Sequence, residues 1–168
     1  MNLRTALYPL APLALLLLTA CAPAPIYKTA PDAVTALPAQ VAHAPEQFGN
    51  GAVIWGGSVV GVHNFPDHTE MEVLAYPLDG SQRPRTNVQG AGRFIAIFPG
   101  YVEGFNFPNG SLVTLSGQLS GTRAGNVDQA SYVYPLMTVA QSHRWTAAEM
   151  RAGHPNISFG VGVGVGIH

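Results

Sequence analysis

Residues 52–65 read Ala-Val-Ile-Trp-Gly-Gly-Ser-Val-Val-Gly-Val-His-Asn-Phe, a β-rich run of unusual length. Gly56, Gly57 and Gly61 fall where so long a strand needs a bulge or a sharp coil, so the run predicts one strand bent across two sheets. The turn Asn64-Phe65-Pro66-Asp67-His68 leads to a second strand over Thr69 to Tyr76. Met71, Val73 and Ala75 share one of its faces, and Glu70, Glu72 and Leu74 share the other, which the charges mark as wet. After a polar loop, Arg93 to Phe98 sets Phe94, Ala96 and Phe98 opposite Ile95 and Ile97, predicting a central strand buried on both faces. Pro108-Asn109-Gly110 is a turn that opens a fourth strand, Ser111 to Gly121, with Val113, Leu115 and Leu119 inward. A loop is expected over Thr122 to Ala130. The fifth strand follows over Ser131 to Gln141, where Pro135 argues for an edge or a bulge. Five short strands with a coiled first strand predict an all-β fold, a small five-stranded OB-like partly open barrel.

The flanks carry different signals. Thr146-Ala147-Ala148-Glu149 reads as a capping box that starts one short C-terminal helix, with Gly153 placed to end it. From Phe159 to Ile167, Gly alternates with Val or Ile in a Gly-rich tail with the period of a strand. That tail is expected to dock as an edge strand, in this domain or on a partner. Arg4 and the free amine precede a leucine-rich run from Ala6 to Ala20, a secretory signal pattern. Pro9 and Pro12 interrupt the run, which is too short to cross a bilayer as a permanent helix. In the uncleaved precursor, residues 3 to 19 are expected to form a helix detached from the domain. The run closes on Leu18-Thr19-Ala20-Cys21, which resembles the bacterial lipobox, with cleavage between Ala20 and Cys21. Cys21 is the single cysteine of the chain, so no intrachain disulfide can form. Lipidation there implies a diacylglycerol and an N-acyl chain, which together anchor a protein without any spanning helix. In lipoproteins of this kind an Asp after the cysteine commonly retains the protein in the inner membrane; Ala22 stands there, favouring the outer membrane, with the domain facing the periplasm.

The chain of 168 residues is 47% hydrophobic and 10% charged, which suits one compact domain. A formal charge of -1 lacks the basic excess that would neutralise phosphates, so nucleic acid is excluded as an expected partner. The organisation is then a signal peptide at 1–20, a lipidated cysteine with a Pro/Ala-rich tether at 21–47, a β-barrel domain at 48–145, and a short helix with a Gly-Val tail at 146–168. Five prolines between residues 22 and 45 predict an extended tether without packed elements.

Trp55-Gly56-Gly57, Glu72-Val73-Leu74-Ala75-Tyr76-Pro77-Leu78-Asp79, Gly92-Arg93-Phe94, Gly110 to Gly117 and Tyr134-Pro135, together with the lipobox, resemble the Slp family of outer-membrane lipoproteins. The resemblance covers the lipobox and about residues 50 to 145. It implies a starvation- or stress-associated lipoprotein of a Gram-negative outer membrane with no established enzymatic activity, and it supplies no catalytic residues.

Candidate chemistry is sparse. His63, Asp67, His68, Glu70 and Glu72 crowd one hairpin, but no metal-ligand spacing appears and the two glutamates read as a solvated strand face, so no metal is expected. Ser58, Ser111 and Ser116 lack a nucleophile-elbow context. Arg83 and Arg85, with Arg93, offer bidentate contacts to an anion. Trp55, Tyr101, Phe105, Phe107, Tyr132 and Tyr134 could stack on sugars, though strand aromatics in a small barrel belong more often to the core. Arg83, Arg85, Tyr101 and Phe105 form the candidate ligand face. The reading is a non-catalytic lipoprotein that supports the envelope through protein or glycan partners. The alternatives are a binding module for an oligosaccharide or anionic glycolipid, and an envelope hydrolase.

Overall fold

In the computed structural model, which describes residues 24–152, β1 (Ala52–Asn64) is the strand on which the ring closes. Gly56, Gly57 and Ser58 pair with Tyr76, Ala75 and Leu74 of β2 (His68–Tyr76) on one side. On the other side they pair with Thr114, Val113 and Leu112 of β4 (Leu112–Val127). Residues before this triplet pair with β4 alone and residues after it with β2 alone, so β1 passes from one neighbour to the other, with a register shift between Val59 and Gly61. The glycines expected to permit a sharp coil stand where the strand needs them. A Cβ on Gly57 would collide with the Leu74 carbonyl across the β1–β2 ladder.

β3 (Arg93–Pro99) runs antiparallel to β2 and parallel to β5 (Ala130–Trp145), and β5 pairs along its length with β4. The order β1-β2-β3-β5-β4 returns to β1 as a closed barrel. The five-stranded β-barrel is thus the fold, and it closes where the sequence suggests partial opening. Three parallel pairs, Ile95–Leu136, Ala96–Met137 and Ile97–Thr138, join β3 to β5 in this ring. Parallel partners distant in sequence leave no local signature from which such pairing could be read.

Alternation fills the interior. Val53, Trp55 and Val59, Met71, Val73 and Ala75, Phe94, Ala96 and Phe98, Val113, Leu115 and Leu119, and Met137 and Val139 form one core. The inward face assigned to β2 and to β4 is the buried one. On β3 the outer face is less dry than expected: Ile95 is buried and Ile97 half-buried.

Two segments differ from the sequence reading. The loop expected at Thr122 to Ala130 is strand: β4 and β5 continue to a turn at Asp128, whose φ is 53°. Few large apolar residues mark this stretch, because pairing and polar contacts hold it, with Tyr134 Oη donating to the Asn126 carbonyl at 3.0 Å. Pro135 opposes Thr122 within the β4–β5 ladder, one residue before β3 begins to pair with β5. The proline-rich stretch read as an extended tether also carries ordered structure. Val34 N–H donates to Ala52 O at 2.8 Å, and α1 (Pro38–His43) buries Val41 against the core. Trp55 Nε1 donates to Ala36 O at 2.9 Å. Pro38 sits in the first turn of α1, where a proline costs no hydrogen bond. The short helix expected near the C-terminus is α2 (Ala147–Ala152), opened by the Thr146–Glu149 capping box. The signal peptide with its expected helix at 3–19, Ala20, Cys21, the Gly153 stop and the tail at 159–167 lie outside the described residues.

Gly57→Ala should destabilise the barrel by about 1–3 kcal/mol through overpacking against Leu74. Gly80→Ala, with nothing within 4 Å of the added methyl, should be close to neutral. Urea midpoints of the two variants measure the difference.

Candidate functional site

The outer face of the β1–β4 ladder is covered where Gly56 opposes Thr114. A bare backbone at Gly56 admits the β2–β3 loop, since a Cβ there would lie 2.6 Å from Val113 O and 3.0 Å from Leu78 Cδ2. Asp79 shapes that loop: its Oδ1 accepts the N–H groups of Ser81 and Arg83 at 2.9 Å, and its Oδ2 accepts Arg83 Nε at 2.8 Å. Burial pushes the Asp79 carboxyl up, yet these donors outweigh it and hold the group below its ordinary value. The turn places Gln82 at φ 66° and buries it.

Gln82 then meets Thr114, which is fully buried. Thr114 Oγ1 donates to Gln82 O at 2.6 Å and accepts Trp145 Nε1–H at 2.8 Å. The Gln82 amide grips the backbone of Tyr27 at two points: Tyr27 N–H donates to Oε1 at 2.8 Å, and Nε2 donates to Tyr27 O at 3.0 Å. Tyr27 Oη donates to Thr114 O at 3.3 Å, and burial pushes this phenol well above its ordinary value. Four segments distant in sequence therefore meet at one threonine. None of the four residues carries a sequence signal for this role, because no single segment contains more than one partner.

A second group lies on the wet face of β2. His68 Nδ1–H donates to Asp67 Oδ1 at 2.7 Å, and its Nε2 lies 3.4 Å from Glu70 Oε1. Arg123, from the β4 extension, grips Glu70 with Nη1 at 2.9 Å and Nη2 at 2.6 Å. The Asp67 hydrogen bond raises the half-buried His68 above its ordinary value, and the Arg123 fork lowers Glu70. Glu72 Oε1 accepts Arg93 Nη1 at 2.7 Å and Tyr134 Oη at 3.3 Å. Of the carboxylates that the sequence crowds into one hairpin, Glu70 and Glu72 are thus joined to guanidinium groups from β4 and β3 and Asp67 to His68, and His63 stands apart and exposed. Among the described residues no group of three or more candidate ligands converges on one point.

The four residues of the expected ligand face do not come together. Arg83 is committed to Asp79, and Arg85 is exposed in the loop before β3. Tyr101 and Phe105 follow β3, so they lie at its other end, roughly 20 Å of strand away. They are 66% and 78% exposed, with Phe65 at 44% nearby on the β1–β2 turn. This loop is fastened to the turn, since Val102 N–H donates to Thr69 Oγ1 and Gly100 N–H to Asp67 O. Trp55 and Tyr134 are buried, and Phe107 and Tyr132 are half-buried, as the core reading expects. Ser58, Ser111 and Ser116 are all half-buried, and Ser116 Oγ donates to Gln141 Oε1 at 3.3 Å.

Near α2, His143 Nε2 lies 3.3 Å from Glu149 Oε1, off the line of a hydrogen bond, and its ring meets Trp145 edge-on at 4.4 Å. Burial lowers the His143 imidazole below its ordinary 6.5, with Glu149 acting against the shift. A lowered imidazole binds its proton more weakly in the folded chain than in the unfolded one. The stability it contributes is therefore complete above about pH 6.5 and is lost as pH falls through the lower folded value. His143→Gln should flatten this acid-side decline, measured as urea midpoints from pH 7.5 to 5.

A model of the family described as "Outer membrane lipoprotein Slp family" matches residues 18–161. A Haemophilus influenzae protein known only as uncharacterized is 37% identical over 92 residues, covering 54% of this chain and 50% of that one. The uncharacterized lipoprotein YeaY of Escherichia coli is 32% identical over 124 residues, 70% of this chain and 64% of that one. Outer membrane protein Slp of Escherichia coli is 26% identical over 96 residues, 57% of this chain and 50% of that one. The matches thus span about half to two thirds of each relative. Among solved structures, a small single-stranded DNA-binding protein from Streptomyces coelicolor is 10% identical at a TM-score of 0.37, covering 58% of this chain and 96% of that one. A likeness that slight carries no argument about ligands.

Proposed function

The chain belongs to the Slp family of outer membrane lipoproteins, and from that premise we propose a non-catalytic, lipid-anchored protein that faces the periplasm and supports the envelope under stress by binding other envelope components. One observation carries this reading: the family match begins at residue 18 and so takes in Leu18-Thr19-Ala20-Cys21 together with the whole barrel. Cleavage after Ala20 leaves Cys21 as the first residue, carrying a diacylglycerol on sulfur and an acyl chain on nitrogen. One acyl chain binds a membrane marginally, and the additional chains make the attachment stable.

The non-catalytic part is supported by what the barrel does with its ionisable groups. His68, Glu70, Glu72 and Asp79 each meet a charged partner within the fold, and Glu149 accepts the Thr146 N–H and hydroxyl, in contacts that tie strands, loops and helix together. Those ties explain their placement without a reaction. A hydrolase would need an acid, a base and a nucleophile aimed at a common point.

A second reading, a binding module for an oligosaccharide or anionic glycolipid, draws on the exposed aromatic tips Phe65, Tyr101 and Phe105. Flat exposed rings held on a fastened loop suit stacking on a sugar or on a protein surface.

Expression of the native gene with labelled palmitate tests the anchor. The wild type should incorporate label and sediment with outer membranes, and Cys21→Ser should lose both properties. Tyr101→Ser combined with Phe105→Ser should change stability by no more than about 0.5 kcal/mol, as surface substitutions do. The same pair should reduce recovery of crosslinked envelope proteins or glycans if the tips are the contact.

A further inference from the structure

The clasp on Tyr27 fixes how far the barrel can stand from a lipid anchor. Six residue-to-residue steps lead from Cys21 to Tyr27, and at most about 3.5 Å per step gives a reach of roughly 20 Å. A tether running free to residue 47 would reach several times farther. The barrel is thus held close to the bilayer, and the part nearest the lipid is the part that holds Tyr27.

Charge is distributed to match. Three arginines are paired within the fold: Arg83 with Asp79, Arg93 with Glu72 and Arg123 with Glu70. The other basic residues among those described, Lys28, Arg85, Arg144 and Arg151, are all exposed and form no ion pair with a described residue. Each belongs to a segment that meets at Thr114. Lys28 follows Tyr27, Arg144 precedes Trp145, Arg85 lies three residues past Gln82, and Arg151 stands on α2 just beyond Trp145. Four exposed acids form no ion pair with a described residue: Asp32, four residues after Lys28 in the same segment, and Glu46, Glu103 and Asp128, which lie after α1, in the aromatic loop and at the β4–β5 turn, so one unpaired acid accompanies the four cations. The barrel therefore presents unpaired cations around the point where the anchor segment is gripped.

We infer that this end of the barrel lies against anionic phospholipid headgroups of the membrane that carries the anchor, with Lys28, Arg85, Arg144 and Arg151 as the contacting side chains. The inference rests on acylation of Cys21. Cations near an anionic surface are attracted within about one Debye length, roughly 10 Å at ordinary salt, a distance that a 20 Å leash allows. Phe65, Tyr101 and Phe105 are not among the contacting side chains, because none belongs to a segment that meets at Thr114.

The test uses the full acylated protein in vesicles of phosphatidylcholine alone or mixed three to one with phosphatidylglycerol, read by amide exchange and intact mass. In the anionic vesicles, exchange at residues 26–30, 83–88 and 144–151 should slow by at least about fivefold, the worth of one surface cation. Residues 101–107 should not change. Replacing Lys28, Arg85, Arg144 and Arg151 together by Gln should abolish the slowing while the melting transition stays in place, because all four are exposed. Slowing of equal size in both vesicle types would overturn the inference, as would slowing at 101–107 instead or none at all. A mass showing Cys21 without acyl chains would remove the anchor and this inference with it. Acylation without the slowing would remove only the inference.

Discussion

Closure of this barrel depends on three consecutive residues of β1 that are hydrogen-bonded on both edges. Gly56, Gly57 and Ser58 join β2 to β4, and each side demands a backbone approach that a side chain would obstruct. The first glycine admits Leu78 and the β2–β3 loop onto the outer face; the second lets the Leu74 carbonyl come close. Everything on the outer surface near Thr114 follows from that pair. The loop can lie there, Gln82 can reach Thr114, and the amide of Gln82 is left to hold Tyr27.

The polar contacts divide by burial, and their energetic weight divides with it. Thr114 and Gln82 are out of water, so losing either partner would leave a buried group unpaired, which costs more than the bond itself contributes. The Arg123–Glu70 pair is bidentate but lies at the surface, where solvent screens it. Its use is positional, since it draws the β4 extension over the wet face of β2. His68 and His143 respond to acid in opposite senses, because one gains carboxylate neighbours at the surface while the other loses water.

Strand faces were legible because burial and alternation are local properties. Met71, Val73 and Ala75 can be assigned inward from their own spacing, and the Thr146–Glu149 box from four residues. Residues 122–130 were not legible, since polar pairing rather than an apolar stripe makes them strand. Nor was the docking of residues 24–47, where five prolines between residues 22 and 45 mask the few side chains that pack, Val34, Ala36 and Val41. The proposed ligand face failed for a topological reason: Arg83 and Arg85 precede β3, and Tyr101 and Phe105 follow it. A list of residue types carries no information on which end of a strand each one occupies.

The Thr114 junction has a consequence for the order in which the chain assembles. β1–β2, β2–β3 and β4–β5 join neighbours in sequence, whereas β1–β4 joins residues 52–58 to 112–118 and β3–β5 joins 95–97 to 136–138. Distant pairings meet a loop-closure cost that local hairpins avoid, so the ring closes after its hairpins form. Tyr27 needs Gln82 and Thr114 already side by side, and they are so placed only once β1 has paired with both β2 and β4. The grip on Tyr27 is accordingly a late event. With the anchor proposed at Cys21, the segment after it keeps its full length until then, and the leash shortens as this late step draws the barrel toward the membrane.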